Sequence, residues 1–238
     1  MTAILCTVCA RGGSSGVPGK KLHEVGGAPL SGRAVQDALE WGREADVVVS
    51  SDDPAIREAG ERYGAVAPFE RPASLAADDA AKLPVIKHAL RAMEEHREMT
   101  YDYIVDIDAT VPLRQAVDIE RCFQTVHEDP EATNAYTVCP ARKNPYFNMV
   151  EVDDEGYARL VAEPADPVVR RQDAPKVYEM NAAVYVFERE FLMATDTVHG
   201  PRTRVSVMPP ERSVDIDTPW DLQLVDFLYS RQAGETDG

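Results

Sequence analysis

No run among the 238 residues approaches the ~18 consecutive apolar positions that a membrane span requires. The N-terminus lacks a charged n-region and opens directly on a strand pattern, so neither a bilayer segment nor a secretory signal is expected. Cysteine is scarce, with only Cys6, Cys9, Cys122 and Cys139. Cys6 and Cys9 form a C-x-x-C within an apolar strand pattern that sends them to opposite faces. No second C-x-x-C or paired histidine follows, which argues for structural, reduced cysteines in a cytoplasmic protein and against a redox pair or zinc site. The five histidines are scattered and show no metal-ligand spacing. Positive charge is also short: 25 Lys and Arg against 41 Asp and Glu leave a formal net charge of −16, which argues against a general nucleic-acid or anionic-membrane surface. Internal repeats and low-complexity stretches are missing too. With 44% hydrophobic residues, the chain suffices for one large domain, 1–238.

Against this acid excess, the opening is unusual. From Met1 to Leu22 there is no carboxylate, and three cations, Arg11, Lys20 and Lys21, sit in the loop CARGGSSGVPGKK. The loop is not a P-loop, because Ser14 stands where the first glycine belongs and Lys21 follows Gly19-Lys20. Nor is it a dinucleotide fingerprint, since it holds no G-x-G. It reads as another kind of anion loop: glycines turn backbone N–H groups inward, Arg11 chelates phosphate oxygens, and the lysines supply charge. A solvated surface loop is the competing reading.

Apolar runs and helical patterns alternate along the chain. Strands are expected at 3–9, 46–50, 65–67, 103–107 and 135–139, with helices at 31–43, 54–63, 79–96 and 117–128. Asp53 and Pro54 supply a cap and first turn for the second helix. This βα rhythm predicts a mostly parallel sheet with helices on both faces, and ligands on such sheets bind outside the strands' carboxyl ends. The loops at 10–21, 51–54 and 108–114 all leave those ends. Between 140 and 180 the rhythm breaks into a proline- and charge-rich insertion with a hairpin at 146–152 and 157–161. Strands return at 183–187 and 204–208, an extended segment follows at 214–217, and a last helix runs from Pro219 to about Arg231. Asp215 and Asp217, two apart on an extended segment, share a face there, a spacing open to metal ligation or to the bland reading of polar loop and helix cap. Thr218, Pro219 and Asp221 read as a helix cap.

ARGGSSGVPGKKL resembles the loop of the acylneuraminate cytidylyltransferases, which activate sialic acids and related 2-keto sugar acids. The likeness continues in order through VSSDD at 49–53, RPASLAADDA at 71–80, ATVPLR at 109–114, RRQDAPKVYEMNAAVYV at 170–186 and RSVDIDTPWDL at 212–222. The resemblance implies a nucleotide-diphospho-sugar-transferase-like fold, CTP as co-substrate, Mg²⁺ as cofactor, transfer of CMP with loss of pyrophosphate, and a homodimer in which the insertion at 140–180 reaches the partner. It implies that Arg11, Lys20 and Lys21 hold the triphosphate with Gly12, Gly13, Ser14 and Ser15. It further implies that Arg71 reads cytosine beside the Ala80 backbone, that Asp215 and Asp217 bind metal, and that Arg171 and Asn181 belong to the acceptor region.

The sequence departs from the family chiefly on the acceptor side. Asp108 stands where sialic-acid members often carry a neutral glutamine, Glu179-Met180-Asn181-Ala182 replaces an Arg-x-Asn-Gly stretch, and Lys21 replaces an asparagine. A carboxylate beside an acidic acceptor is unfavourable unless it meets a hydroxyl, an ammonium or a metal. Asp108 is therefore a candidate acceptor contact; Asp106 and Asp108, an i, i+2 pair at a strand end, could touch metal or acceptor, and another nine- or eight-carbon ulosonic acid or a phosphonate stays open as acceptor. A sugar 1-phosphate nucleotidyltransferase and a nucleotide-binding regulatory module are the rival readings. Lys82 and Lys87 read as solvated helix face, and Asp37, Glu40 and Glu44 as helix surface.

Overall fold

The computed structural model describes residues 2–13, 16–164 and 168–236. Its strands are β1 (Ile4–Cys9), β2 (Glu24–Val25), β3 (Ala28–Pro29), β4 (Asp46–Ser50), β5 (Tyr103–Ile107), β6 (Asn134–Pro140), β7 (Val150–Val152), β8 (Ala158–Leu160), β9 (Tyr178–Glu188) and β10 (Thr203–Val207). Its helices are α1 (Leu30–Glu40), α2 (Pro54–Arg62), α3 (Lys82–Arg97), α4 (Ala116–His127), α5 (Arg189–Ala194) and α6 (Pro219–Thr236).

Six strands form the central sheet in the order β10-β6-β9-β5-β1-β4. All pairings are parallel except those of β9, which runs antiparallel to both β5 and β6. The alternating βα pattern thus builds the expected mostly parallel sheet, with one reversed strand that follows the insertion. Two hydrophobic layers cover it. On one face, Leu30 and Val35 of α1, Ile56 of α2, Phe123 of α4 and Val225 of α6 pack against Cys6, Val8, Val49 and Ile107. On the other, Leu83, Ile86, Leu90 and Met93 of α3 and Leu192 of α5 pack against Leu5, Val48, Ile104 and Phe187. Side chains as large as Phe123 or Leu90, fully removed from water here, stabilise by about 1.5–3 kcal/mol each. Cys6 belongs to the first layer and Cys9 packs against the second, as a three-residue spacing on a strand requires, and all four cysteines are free thiols.

Local chemistry explains the element ends near the cavity. Asp53 accepts the Ala55 N–H at 2.8 Å with Pro54 in the first turn, which starts α2. Asp221 caps α6, accepting the Thr218 N–H at 2.7 Å while Thr218 Oγ1 accepts the Asp221 N–H at 3.3 Å.

Two expectations are corrected. Residues 65–67 make only an isolated bridge, Val48 to Val66, because the segment is too short to continue the ladder. The segment 214–217 is extended without joining the sheet; a single ladder-like bond from Ile216 N–H to Thr110 O, at 2.9 Å, holds it to the sheet's rim. α3 begins at Lys82, not 79, after turns and a short 3₁₀ segment at Ala73–Leu75. Strand β9 is also longer than its apolar core. Its polar first half continues as Tyr178–Asn181 beyond a register shift against β6, and Ala182 takes a left-handed φ of 56° there. The insertion contains the β7–β8 hairpin, paired only with itself. No helix among the described residues is long and apolar enough to cross a membrane.

Candidate active site

The carboxyl ends of β4, β1 and β5 open onto a cavity of about 520 Å³. Five cationic side chains line it (Arg11, Lys20, Lys21, Arg71 and Lys82), facing four carboxylates, Asp78, Asp108, Asp215 and Asp217. The glycine loop and the acid segment, nearly two hundred positions apart in the chain, meet in it. A Cβ built on Gly16 would lie 2.0 Å from the Asp217 carbonyl oxygen, so only glycine lets the loop pass the acid segment this closely. Lys20 Nζ ties the two together, donating to the Ile216 carbonyl and lying 3.4 Å from Asp217 Oδ1.

Arg11 reaches across the cavity mouth to the segment before α3, donating to Ala77 O at 2.7 Å and pairing with Asp78 at 3.0 Å. Gly12 N–H donates to Asp52 at 3.0 Å, and Gly13 faces the cavity with open space about its Cα. Ser14 and Ser15, the remaining loop candidates, lie outside the described residues. Arg71 is buried rather than superficial. Its Nε donates to Ser50 Oγ at 3.2 Å and its Nη2 to Ser50 O, while Nη1 has no protein acceptor among the described residues. Ala80 lines the cavity beside it.

The acid segment is braced from several sides. Arg212 forms a two-point ion pair with the buried Asp118 of α4, at 2.9 and 2.7 Å. Asn181 Nδ2 donates to Ser213 Oγ at 2.8 Å, and the Asp217 N–H donates to Asp221 at 3.2 Å. Asp217 is exposed toward the cavity. Asp215 is half-buried, and its Oδ1 has no hydrogen-bond partner. Burial, reinforced by Asp108 and Asp217, pushes the Asp215 carboxyl up to about 6. An orphaned carboxylate oxygen under the repulsion of two other acids is a place short of a cation, so Asp215 and Asp217 fit an ion such as Mg²⁺, which takes one or two carboxylates and completes its shell with phosphate oxygens and water. Among the described residues no three His, Cys, Asp or Glu side chains cluster as a self-sufficient metal cage.

Lys82 corrects the reading of a solvated helix face. Its ammonium lies 2.9 Å from Asp106 Oδ2 and 3.0 Å from Asp108 Oδ2, with the Tyr185 ring centroid 4.4 Å away. Burial opposes this charge, yet Asp106 and Asp108 hold the Lys82 pKa well above its ordinary value. Asp108, despite its own burial, is held far below the usual carboxylate range by Lys82 and Lys21. Lys21 Nζ stands 3.6 Å from Asp108 Oδ1, and burial pushes its pKa down against the pull of that acid. The ammonium that Asp108 needs is therefore supplied by the protein itself. Burial pushes the Cys9 thiol up, which leaves it a poor nucleophile despite its place on the cavity wall.

Two acceptor candidates lie elsewhere in this chain. Asn181 is buried against Thr137, Met208 and Ser213, where it locks the β9 irregularity to the acid segment. Arg171 is exposed in the insertion and donates to Ala141 O at 2.9 Å. Neither is among the residues lining the cavity. Asp37, read as helix surface, is buried and accepts from Arg114 at 2.7 Å; the same guanidinium donates to Asp108 O and Ala183 O. Asp37 lies on the buried arc of Ala34, Val35, Ala38 and Trp41, which was the available signal.

Sheet and cleft together define an α/β protein with its cavity at the strands' carboxyl ends, where sheets of this kind bind ligands. A family model described as Cytidylyltransferase matches residues 5–204, and the chain belongs to that family. It is 37% identical to Post-translational flagellin modification protein B of Campylobacter coli, over 98% of this chain and 97% of that one. It is 38% identical to CMP-N,N'-diacetyllegionaminic acid synthase of Campylobacter jejuni, over 97% and 96% of the respective chains. Its fold matches CMP:2-keto-3-deoxy-manno-octonic acid synthetase complexed with CTP, with a TM-score of 0.68 at 20% identity over 98% of this chain and 100% of that one.

Proposed function

We propose that this cytidylyltransferase moves CMP from CTP to a 2-keto sugar acid of the sialic-acid-like ulosonic class and releases pyrophosphate. The observation that carries the reading is the meeting of Arg11, Lys20, Lys21 and Arg71 with Asp215 and Asp217 around one cavity. The Campylobacter jejuni relative named for CMP-N,N'-diacetyllegionaminic acid supports the acceptor class.

In this reading Arg11 and Lys20 bind the triphosphate and offset charge on the leaving pyrophosphate, with Gly12 and Gly13 supplying backbone N–H groups, while Lys21 turns towards Asp108. The acceptor hydroxyl oxygen bonds to the α-phosphorus as the bond to the β-phosphate oxygen breaks, and the hydroxyl proton is released. Arg71, with Nε and Nη2 committed to Ser50, presents Nη1 to the acceptor edge of cytosine beside Ala80. Asp215 and Asp217 would hold Mg²⁺, which when bound supplies charge neutralisation at the phosphates. Asp108 and Lys21 face the acceptor. The protein acts as a homodimer, with the 140–180 insertion as the dimerisation flap of a single 1–238 domain. The free cysteines fit a cytoplasmic setting.

Pyrophosphate release measured with CTP, Mg²⁺ and a panel of ulosonic acids tests the assignment. Turnover is expected with at least one such acceptor, CTP should be preferred over the other nucleoside triphosphates, and Asp217→Ala should lower kcat by about a hundredfold or more while the circular dichroism spectrum is unchanged. Turnover only with a sugar 1-phosphate, or CTP binding without any product, would overturn it.

A further inference from the structure

We propose that Lys82 is a positioning residue that determines acceptor specificity through Asp108. The inference rests on the reading that the cavity takes CTP and an acid acceptor. The sheet order β9-β5-β1-β4 divides the cavity. Arg71 on Ser50 of β4, and the glycine loop after β1, furnish the half suited to nucleotide. Lys82 sits over the other half, on Asp106 of β5 and Tyr185 of β9.

The hydrogen bonds define what Lys82 does there. An ammonium has three donors. Two are given to Asp106 Oδ2 and Asp108 Oδ2, and the ring of Tyr185 lies against the same nitrogen. Lys82 is a clamp, with little left to offer a ligand. Asp106 is fixed from its other side by Thr7 Oγ1 at 2.7 Å. Asp108 Oδ1 accepts from Thr110 N–H at 3.1 Å and Thr110 Oγ1 at 2.9 Å, and faces Lys21. The two ammoniums and two carboxylates sum to no net charge, so Asp106 and Asp108 themselves oppose an acidic acceptor with no unbalanced charge. Lys21 donates to no protein group within hydrogen-bond distance among the described residues, so its ammonium is the one presented to the ligand.

Without Lys82, Asp106 and Asp108 would face each other across the strand end with no shared cation. One partner of a buried charge pair left alone is strongly unfavourable, and the carboxylate relieves this by turning or taking a proton. Either response changes what Asp108 and Lys21 present to the acceptor while leaving the Arg71 half in place. Lys87, on the same helix, pairs instead with Thr195 O and Asp196 outside the cavity and serves as the control.

The test is steady-state kinetics with CTP and acceptor varied separately. Lys82→Met should raise the acceptor KM by about tenfold or more, with the CTP KM changed by less than about twofold. Lys82→Arg, which keeps the cation, should stay within about threefold of wild type and covers the case in which the methionine variant fails to fold. Lys82→Met with Asp108→Asn should recover much of the acceptor KM, because the opposed carboxylates are gone. Lys87→Met should leave both constants unchanged. An unaltered acceptor KM in Lys82→Met, equal rises in both KM values, or strict additivity in the double variant would overturn the inference while the proposed function stands. A wild-type enzyme that uses no acid acceptor removes the proposed function, and this inference falls with it.

Discussion

A carboxylate inside a cavity meant for anions requires cations of its own, and Asp108 has them in Lys82 and Lys21. The loop cations and the Asp215–Asp217 pair were legible because each is compact in sequence and each has a chemistry its residue types declare. Lys82 was not, since its partners lie 24 and 26 positions away and the first turn of a helix ordinarily faces water. Asp37 left one trace, its place on the buried arc of α1, although its arginine is 77 positions distant. The partners in such long-range pairs are otherwise silent in the sequence. Another of them makes a pH prediction. Glu120 accepts two bonds from Arg43, at 2.7 and 2.6 Å, and one from Trp41 Nε1 at 2.6 Å, and these hold its carboxyl below the ordinary value. A folded pKa below the unfolded one means the stabilisation is complete above the unfolded value and is lost as pH falls through the folded one. Glu120→Gln should lower the melting temperature by about 2–4 °C near pH 7, with the gap to wild type closing as the pH falls below the ordinary glutamate range. A constant gap through that fall would show that the charge is not the source.

At the scale of elements, strands whose apolar core coincides with their length were readable, as with β1, β4 and β5. β9 was readable only in its second half, because its first half is polar and ends at the Ala182 irregularity. The acid segment was readable as extended because it alternates, but not how it is held: tertiary bonds do this, not a ladder, from Arg212 to Asp118, Asn181 to Ser213 and Ile216 to Thr110. Asn181 thereby supports the site through a neighbouring element. The loop's fit to this segment can be tested with two glycines of unlike surroundings. At Gly16 an added methyl meets the Asp217 carbonyl, which is backbone and cannot swing away; at Gly13 it meets nothing within 4 Å. Gly16→Ala should weaken CTP binding by about tenfold or more, as expected when a loop is forced off its partner segment, whereas Gly13→Ala should change it by less than about threefold. Isothermal titration with CTP distinguishes these outcomes, and equal effects at the two positions would disprove the close approach.

At the scale of the whole molecule, the β7–β8 hairpin needs a partner that the sheet does not provide. Two strands paired only with each other are marginal in water, and this hairpin exposes apolar side chains where a surface would normally be polar. Val150 and Val152, two apart and so on one face, are 57% and 64% exposed; Tyr157 in the turn is 70% exposed and Val169 further along the insertion 82%. Val205 and Val207 on the edge strand β10 are also exposed. A chain with a net charge of −16 gains nothing from leaving such a surface bare, and the repulsion that keeps acidic copies apart is overcome only where apolar area is buried between them. A second copy of the chain fits this requirement. Sedimentation equilibrium should give a dimer at about micromolar protein, and Val152→Glu combined with Tyr157→Glu should shift the mass to that of one chain without unfolding the central sheet, since the hairpin is not part of it. If the insertion also completes the site, as its basic residues Arg170 and Arg171 suggest for a flap reaching across a dimer, acceptor turnover should fall in parallel with dissociation. A wild-type protein that sediments as a single chain at all concentrations would refute the dimer, and the exposed valines would then face some other partner.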